Sequence, residues 1–240
     1  MKKLLSMILA LSMLLTLTAF ACAEEKGEGV MTHAEYMAAE MDTEVTVEAY
    51  VQAKQSWWDN KATVYAQDAD GAYFLYNMAC SEEDYALLVP GTKIKVTGYK
   101  STWSGEIEIV DATFEIEEGS FIAEPEDVTA LLGTDELIDH QNELVSFKGL
   151  TIAASDDNGA AFLYSWDGSG SHEGNSDLYF KVALGDAVYS FTVESYLCDN
   201  TTDVYAAVEN LKVGDVVDLE GFLYWYEGAN PHIISVKTAE

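Results

Sequence analysis

A ten-residue pattern recurs in this chain without a gap. Val89-Pro90-Gly91-Thr92-Lys93-Ile94-Lys95-Val96-Thr97-Gly98 aligns with Lys212-Val213-Gly214-Asp215-Val216-Val217-Asp218-Leu219-Glu220-Gly221, and the register continues through Trp103 with Tyr226 and Gly105 with Gly228. After the first glycine of each copy, residues alternate with the period of a half-buried strand. A second glycine closes each run, where a long strand must bend sharply if a small sheet is to close on itself. The chain is therefore expected to contain two like β units rather than one large one.

The flanking segments repeat too. Residues 43–51 alternate, with Val45, Val47, Ala49 and Val51 on one face, and 61–67 and 72–76 keep the same period. Between the last two lies Asp68-Ala69-Asp70-Gly71, a tight hairpin signal. Ser81 caps a short helix to about residue 88, Pro90-Gly91 turns the chain into a strand over 92–100, and a last strand follows over 106–116. The second half reads as strands over 143–153, 178–184 and 187–194, a short helix over 202–211, and strands over 212–223 and 232–237. Thr32 and Glu35 form a capping box for a helix to about residue 41, and Pro125 begins helical segments toward 132 and over 136–140. The expectation is an all-β chain of two tandem five-stranded Greek-key barrels with short accessory helices. A tether and helix fill 24–41, the first barrel 42–118, a helical linker 119–141 and the second barrel 142–240.

Residues 1–23 read as a signal peptide: Lys2 and Lys3, an apolar run over 4–20, then Ala19-Phe20-Ala21-Cys22-Ala23. Cys22 offers a lipobox, with that cysteine as lipid anchor; cleavage before Glu24 is the other reading. The protein is thus expected to be exported, as a cell-surface lipoprotein or in free form, with membrane attachment only through the lipid. Cys80 and Cys198 fall at matching points of the two repeats and read as two buried thiols or as a bridge.

Charge bears on partners. No arginine occurs, and twelve lysines face 42 acids, for a formal charge of −30. Phosphate binding calls for a basic stripe, whereas the second and third strands of the repeats offer only Lys61 and Lys181. No nucleic-acid partner is expected on this ground.

The order strand, strand, hairpin, helix, then V-x-G-[DT]-x-[VI]-x-[VL]-x-G resembles the OB-fold, the oligonucleotide/oligosaccharide-binding barrel. Val45-Thr46-Val47-Glu48-Ala49-Tyr50-Val51-Gln52-Ala53 and Gln67-Asp68-Ala69-Asp70-Gly71-Ala72-Tyr73 more closely resemble tandem OB-fold exported proteins or lipoproteins of anaerobic Firmicutes. That resemblance implies a ligand face on strands two and three, flanked by the loops after strands one and four. In the first repeat it nominates Trp57, Trp58, Tyr65, Tyr73 and Trp103, with Tyr76 extending the face; adjacent Trp57 and Trp58 cannot both enter a regular core. In the second repeat Trp166, from an expected extra hairpin, and Tyr224, Trp225 and Tyr226 would line an acid-and-aromatic cleft if their loops meet. The implied function is a non-enzymatic extracytoplasmic binding or adaptor protein, its partner a protein or glycan at the cell envelope. A carbohydrate-binding accessory lipoprotein is the second reading, and single-stranded nucleic-acid binding, disfavoured by charge, the third.

Asp167-x-Ser169-x-Ser171-x-Glu173 alternates oxygen donors like the start of a calcium loop, but His172 and Leu178 stand where glycine and glutamate belong. An irregular calcium site on Asp167, Ser169 and Glu173 is one reading and a solvated loop the other; no further cofactor is expected. Zinc spacings, a nucleophile elbow and a phosphate-cradling loop are missing from the sequence. Paired carboxylates arise by chance among so many acids, so no catalytic residues are assigned.

Overall fold

The computed structural model describes residues 26–238, so the signal peptide, its lipobox and Cys22 lie outside the described residues. Helix α1 (His33–Ala38) leads into β1 (Glu44–Lys54), β2 (Lys61–Gln67), β3 (Ala72–Ala79), α2 (Glu82–Leu87), β4 (Thr92–Trp103) and β5 (Glu106–Ser120). These strands close as β1-β2-β3-β5-β4, with β1 pairing back onto β4 and β3 running parallel to β5. Val45, Val47, Ala49 and Val51 all point into this barrel. The capping box forms: Thr32 Oγ1 accepts from the Glu35 amide at 3.2 Å, and the Thr32 amide donates to Glu35 Oε2 at 2.9 Å. The helix stops one turn earlier than expected, where buried Lys100 donates to the carbonyls of Tyr36, Met37 and Ala39. Tyr36 plugs the barrel end with its ring 5.2 Å from Tyr73.

The second half comprises β6 (Glu126–Asp127), β7 (Leu144–Ala153), β8 (Phe162–Tyr164), β9 (Leu178–Leu184), β10 (Ala187–Val193), α3 (Asp203–Glu209), β11 (Val216–Phe222) and β12 (His232–Thr238). Strands β7, β11, β12, β10 and β9 repeat the first barrel's circuit, closed by pairing of β7 with β9. Both halves are closed five-stranded barrels of tandem OB architecture. The expected extra hairpin appears as β8 on the edge of β9.

The repeated glycines have a physical reason. A Cβ on Gly98 would lie 2.7 Å from the Ala112 Cβ, and one on Gly221 only 2.3 Å from the His232 carbonyl oxygen. Both sit at register shifts between the two long strands, where backbones come too close for a side chain. Gly91 and Gly214 share the left-handed conformation at φ 92° and 96°.

The linker departs from expectation. Strand β5 runs on to Ser120, β6 pairs in parallel with β7, and 3-10 turns at Thr129–Leu131 and Asp135–His140 replace α-helix. Val128, Leu132 and Leu137 are drawn into the second core, and Gly133, in the left-handed conformation at φ 82°, separates the two turns. Cys80 and Cys198 are free, buried thiols, so the bridge reading is not realised.

Candidate binding cleft between the barrels

Period-two alternation along β2 and β3 sends Val64, Ala66, Tyr73 and Leu75 into the first barrel and leaves Tyr65, Phe74 and Tyr76 outside. Tyr65 and Phe74 form a cross-strand pair, which the second barrel covers: Phe222 stacks on Tyr65 at 4.3 Å and 13°. The Tyr65 hydroxyl lies 2.7 Å from His232 Nδ1. Burial holds His232 far below the ordinary imidazole value, near 3. The ring is therefore neutral, and with the Tyr65 hydroxyl as donor to Nδ1 the ring proton is left on Nε2. That nitrogen has no hydrogen bond among the described residues.

A carboxyl group sits in the same junction. Glu106 Oε2 accepts from Gln141 Nε2 at 3.2 Å and from the Trp225 amide at 2.8 Å, joining the first barrel to the linker and the second barrel. Its Oε1 has no partner, and neither has Oδ1 of the adjacent Asn142, whose Nδ2 is committed to the Ile107 carbonyl. Burial pushes the Glu106 carboxyl up to about 8, outweighing the lowering contacts from Asn142, the Trp225 amide and Gln141.

Beside this dry junction the barrels part into a cleft of about 1140 Å³. Its rings stand open to solvent: Trp58 is 69 % exposed, Trp103 61 %, Trp166 77 % and Tyr226 50 %. Tyr76, Tyr179, Tyr196 and Tyr224 add further faces. The rims are fastened across the barrels, since the Ser56 amide donates to the Tyr196 carbonyl at 2.7 Å and the Glu227 amide to the Ser104 carbonyl at 2.7 Å. Through the second bond the equivalent turns of the two repeats, carrying Trp103 and Tyr226, meet. Glu108, Asp177 and Glu194 also line the cleft, against the single lysine Lys61. Burial, with Asp177 alongside, pushes Glu194 up to about 7.

Of the residues nominated from sequence, Trp58, Trp103, Trp166, Tyr224 and Tyr226 come together in this cleft. Four do not. Tyr65 is sealed between the barrels and Tyr73 inside the first, so neither can meet a ligand. Trp57 turns inward, its indole N–H donating to the Cys80 carbonyl at 3.0 Å. Trp225 packs over Gly105, where a Cβ would lie 2.8 Å from the indole. Tyr179 and Tyr196 went unrecognised; Tyr179 sits in an ordinary alternating strand, and no turn or loop signal marks Tyr196. Asp167 spends its carboxylate on the Ser169 amide at 3.0 Å. The one group of metal-ligating side chains gathered among the described residues is Glu126, His140 and Glu143, which includes neither Asp167 nor Glu173.

No family model and no curated protein matches the sequence. Among solved structures, the chain is similar to a tetrameric p202 HIN2 domain (10 % identity, 84 % of this chain and 96 % of that one, TM-score 0.37). It is also similar to a murine DNA-binding protein bound with double-stranded DNA (9 %, 81 % and 96 %, TM-score 0.38). A third is the Ifi202 HINa domain in complex with 20-base-pair double-stranded DNA (11 %, 83 % and 97 %, TM-score 0.35). Similarity at this level says nothing of what this chain itself binds.

These findings correct the sequence reading. The structures matched are HIN and DNA-binding domains, not exported proteins of anaerobic Firmicutes, and the family resemblance is withdrawn. The exported or cell-surface location, the lipoprotein assignment and the adaptor role toward a protein or glycan at the cell envelope go with it. So does the exclusion of nucleic acid, since two of the matched structures hold double-stranded DNA.

Proposed function

We propose that the chain is a non-enzymatic binding module that holds a planar, ring-bearing ligand in the cleft between its barrels. The observation that carries this reading is the convergence of open rings from both repeats on one fastened cleft: Trp58 and Trp103 from the first, Trp166 and Tyr226 from the second. Large aromatic faces left in water are costly unless a ligand covers them, and each can stack on a flat partner. The groups between the rings hydrogen-bond and orient; they do not form a nucleophile with its base. A single nucleic-acid strand is the second reading, since bases would use the same faces and Lys61 stands among them to meet a phosphate.

Tryptophan fluorescence titrations with adenosine and with a twelve-residue oligothymidylate test both. Adenosine is expected to quench the protein, and Trp58→Ala or Trp103→Ala to weaken its binding by roughly tenfold each. A strand held only by ring faces binds with little salt dependence, whereas phosphate contacts give a slope on log salt. Absence of any response to both probes would sink the stacking cleft.

A further inference from the structure

The charges of the cleft narrow its ligand. Glu108, on β5, is only 7 % exposed, yet it lines the cleft and makes no hydrogen bond or ion pair among the described residues. Burial raises its carboxyl above the ordinary range. Farther along, Glu194 keeps Oε2 buried without a partner. Beside it, Asp177 Oδ1 accepts from the Ser195 amide at 2.9 Å and from its hydroxyl at 2.6 Å. Lys61 forms no ion pair with any of these acids among the described residues, and His232 is neutral. A carboxylate taken out of water and left unpaired is a cost that a bound cation removes.

We infer that the cleft takes a planar cation of guanidinium type, stacked on the open rings with its N–H edge turned to Glu108. This rests on the stacking reading above and gives that ligand its charge. A guanidinium is weakly hydrated, lies flat on aromatic faces and meets a carboxylate with two parallel hydrogen bonds. An ammonium ion shares the charge but not the flat face. A metal ion suits the cleft poorly, because aromatic walls supply no ligands and no three acids gather there among the described residues.

The experiment compares N-acetyl-arginine amide with N-acetyl-citrulline amide, which has the same planar shape without the charge, by calorimetric titration of the intact protein. The arginine compound is expected to bind at least about tenfold more tightly. Glu108→Gln should close that gap to within about twofold while the melting temperature holds or rises, since an unpaired buried carboxylate has been removed. Equal binding of the two compounds, a gap that survives Glu108→Gln, or no binding of the arginine compound each overturns the inference. Adenosine, titrated in parallel, separates the failures. If adenosine binds, the stacking cleft stands without its cation; if neither adenosine nor the oligothymidylate does, both readings fall.

Discussion

Tyr65 and Phe74 lie on the same outer face of the first barrel as Tyr76, yet the two ends of that face meet opposite fates. At one end Phe222 and His232 cover Tyr65 so completely that water is excluded. At the other, Tyr76 and neighbouring Trp58 look into an open cleft. Composition does not distinguish them, since both are aromatic. What differs is whether the second barrel leans on the face or stands away from it. Aromatic area is therefore used for cohesion in one place and kept available in the other, and substitutions should separate these roles.

The largest separation is expected from Phe222→Ala. Removing a fully buried ring from the junction should cost about 3–5 kcal/mol, read as a lower denaturant midpoint. Tyr76→Ala or Trp58→Ala, in the cleft, should change stability by less than about 1 kcal/mol. If the two classes destabilise alike, the division into dry junction and open cleft is wrong.

The junction also has a pH signature. Glu106 titrates from 4.5 in the unfolded chain to about 8 when folded. Between those values the folded state holds a proton that the unfolded state has released, so stability falls as pH rises. The slope from this one group is at most about 1.4 kcal/mol per pH unit. Below the unfolded value the penalty vanishes, and above about 8 it is complete. Glu106→Gln should remove that share of the slope in denaturation curves collected from pH 5 to 8; an unchanged slope would mean that Glu106 is ionised throughout. His232 acts in the opposite sense. Held near 3, it refuses the proton that the unfolded chain accepts below 6.5, so stability drops again toward acid.

This contrast explains what could be read from the sequence. The barrels were legible because their corner glycines are forced: at Gly98 and Gly221 another backbone or side chain occupies the space of a Cβ. The alternation of Val45 to Val51 was legible because one side of β1 faces a core. Tyr65 and Tyr73 were misread because period two tells which residues share a face, but not whether a second domain later covers it. Tyr73 points inward and Tyr65 outward, yet both end buried. The linker misled for a different reason: its helix signals were real, but Gly133 between them takes a left-handed φ of 82°, which ends one turn before the next begins. The acids of the cleft had no sequence signal at all, being three among 42.

The smallest effect probes how the junction and cleft touch. His232 lies in both: its Nδ1 accepts from Tyr65 inside the junction while the ring lines the cleft. Tyr65→Phe keeps the stack on Phe222 but leaves Nδ1 without its donor, at a cost of about 1–2 kcal/mol. Without that donor the imidazole loses its reason to keep the proton on Nε2, and the ring can turn its acceptor toward the cleft instead. Nitrogen NMR of the histidine should therefore show a single Nε2–H tautomer in the unaltered protein and a mixture in Tyr65→Phe, with the melting temperature lower by a few degrees. A mixture already present before substitution would mean that the hydroxyl does not set the tautomer, and that cleft and junction are independent after all.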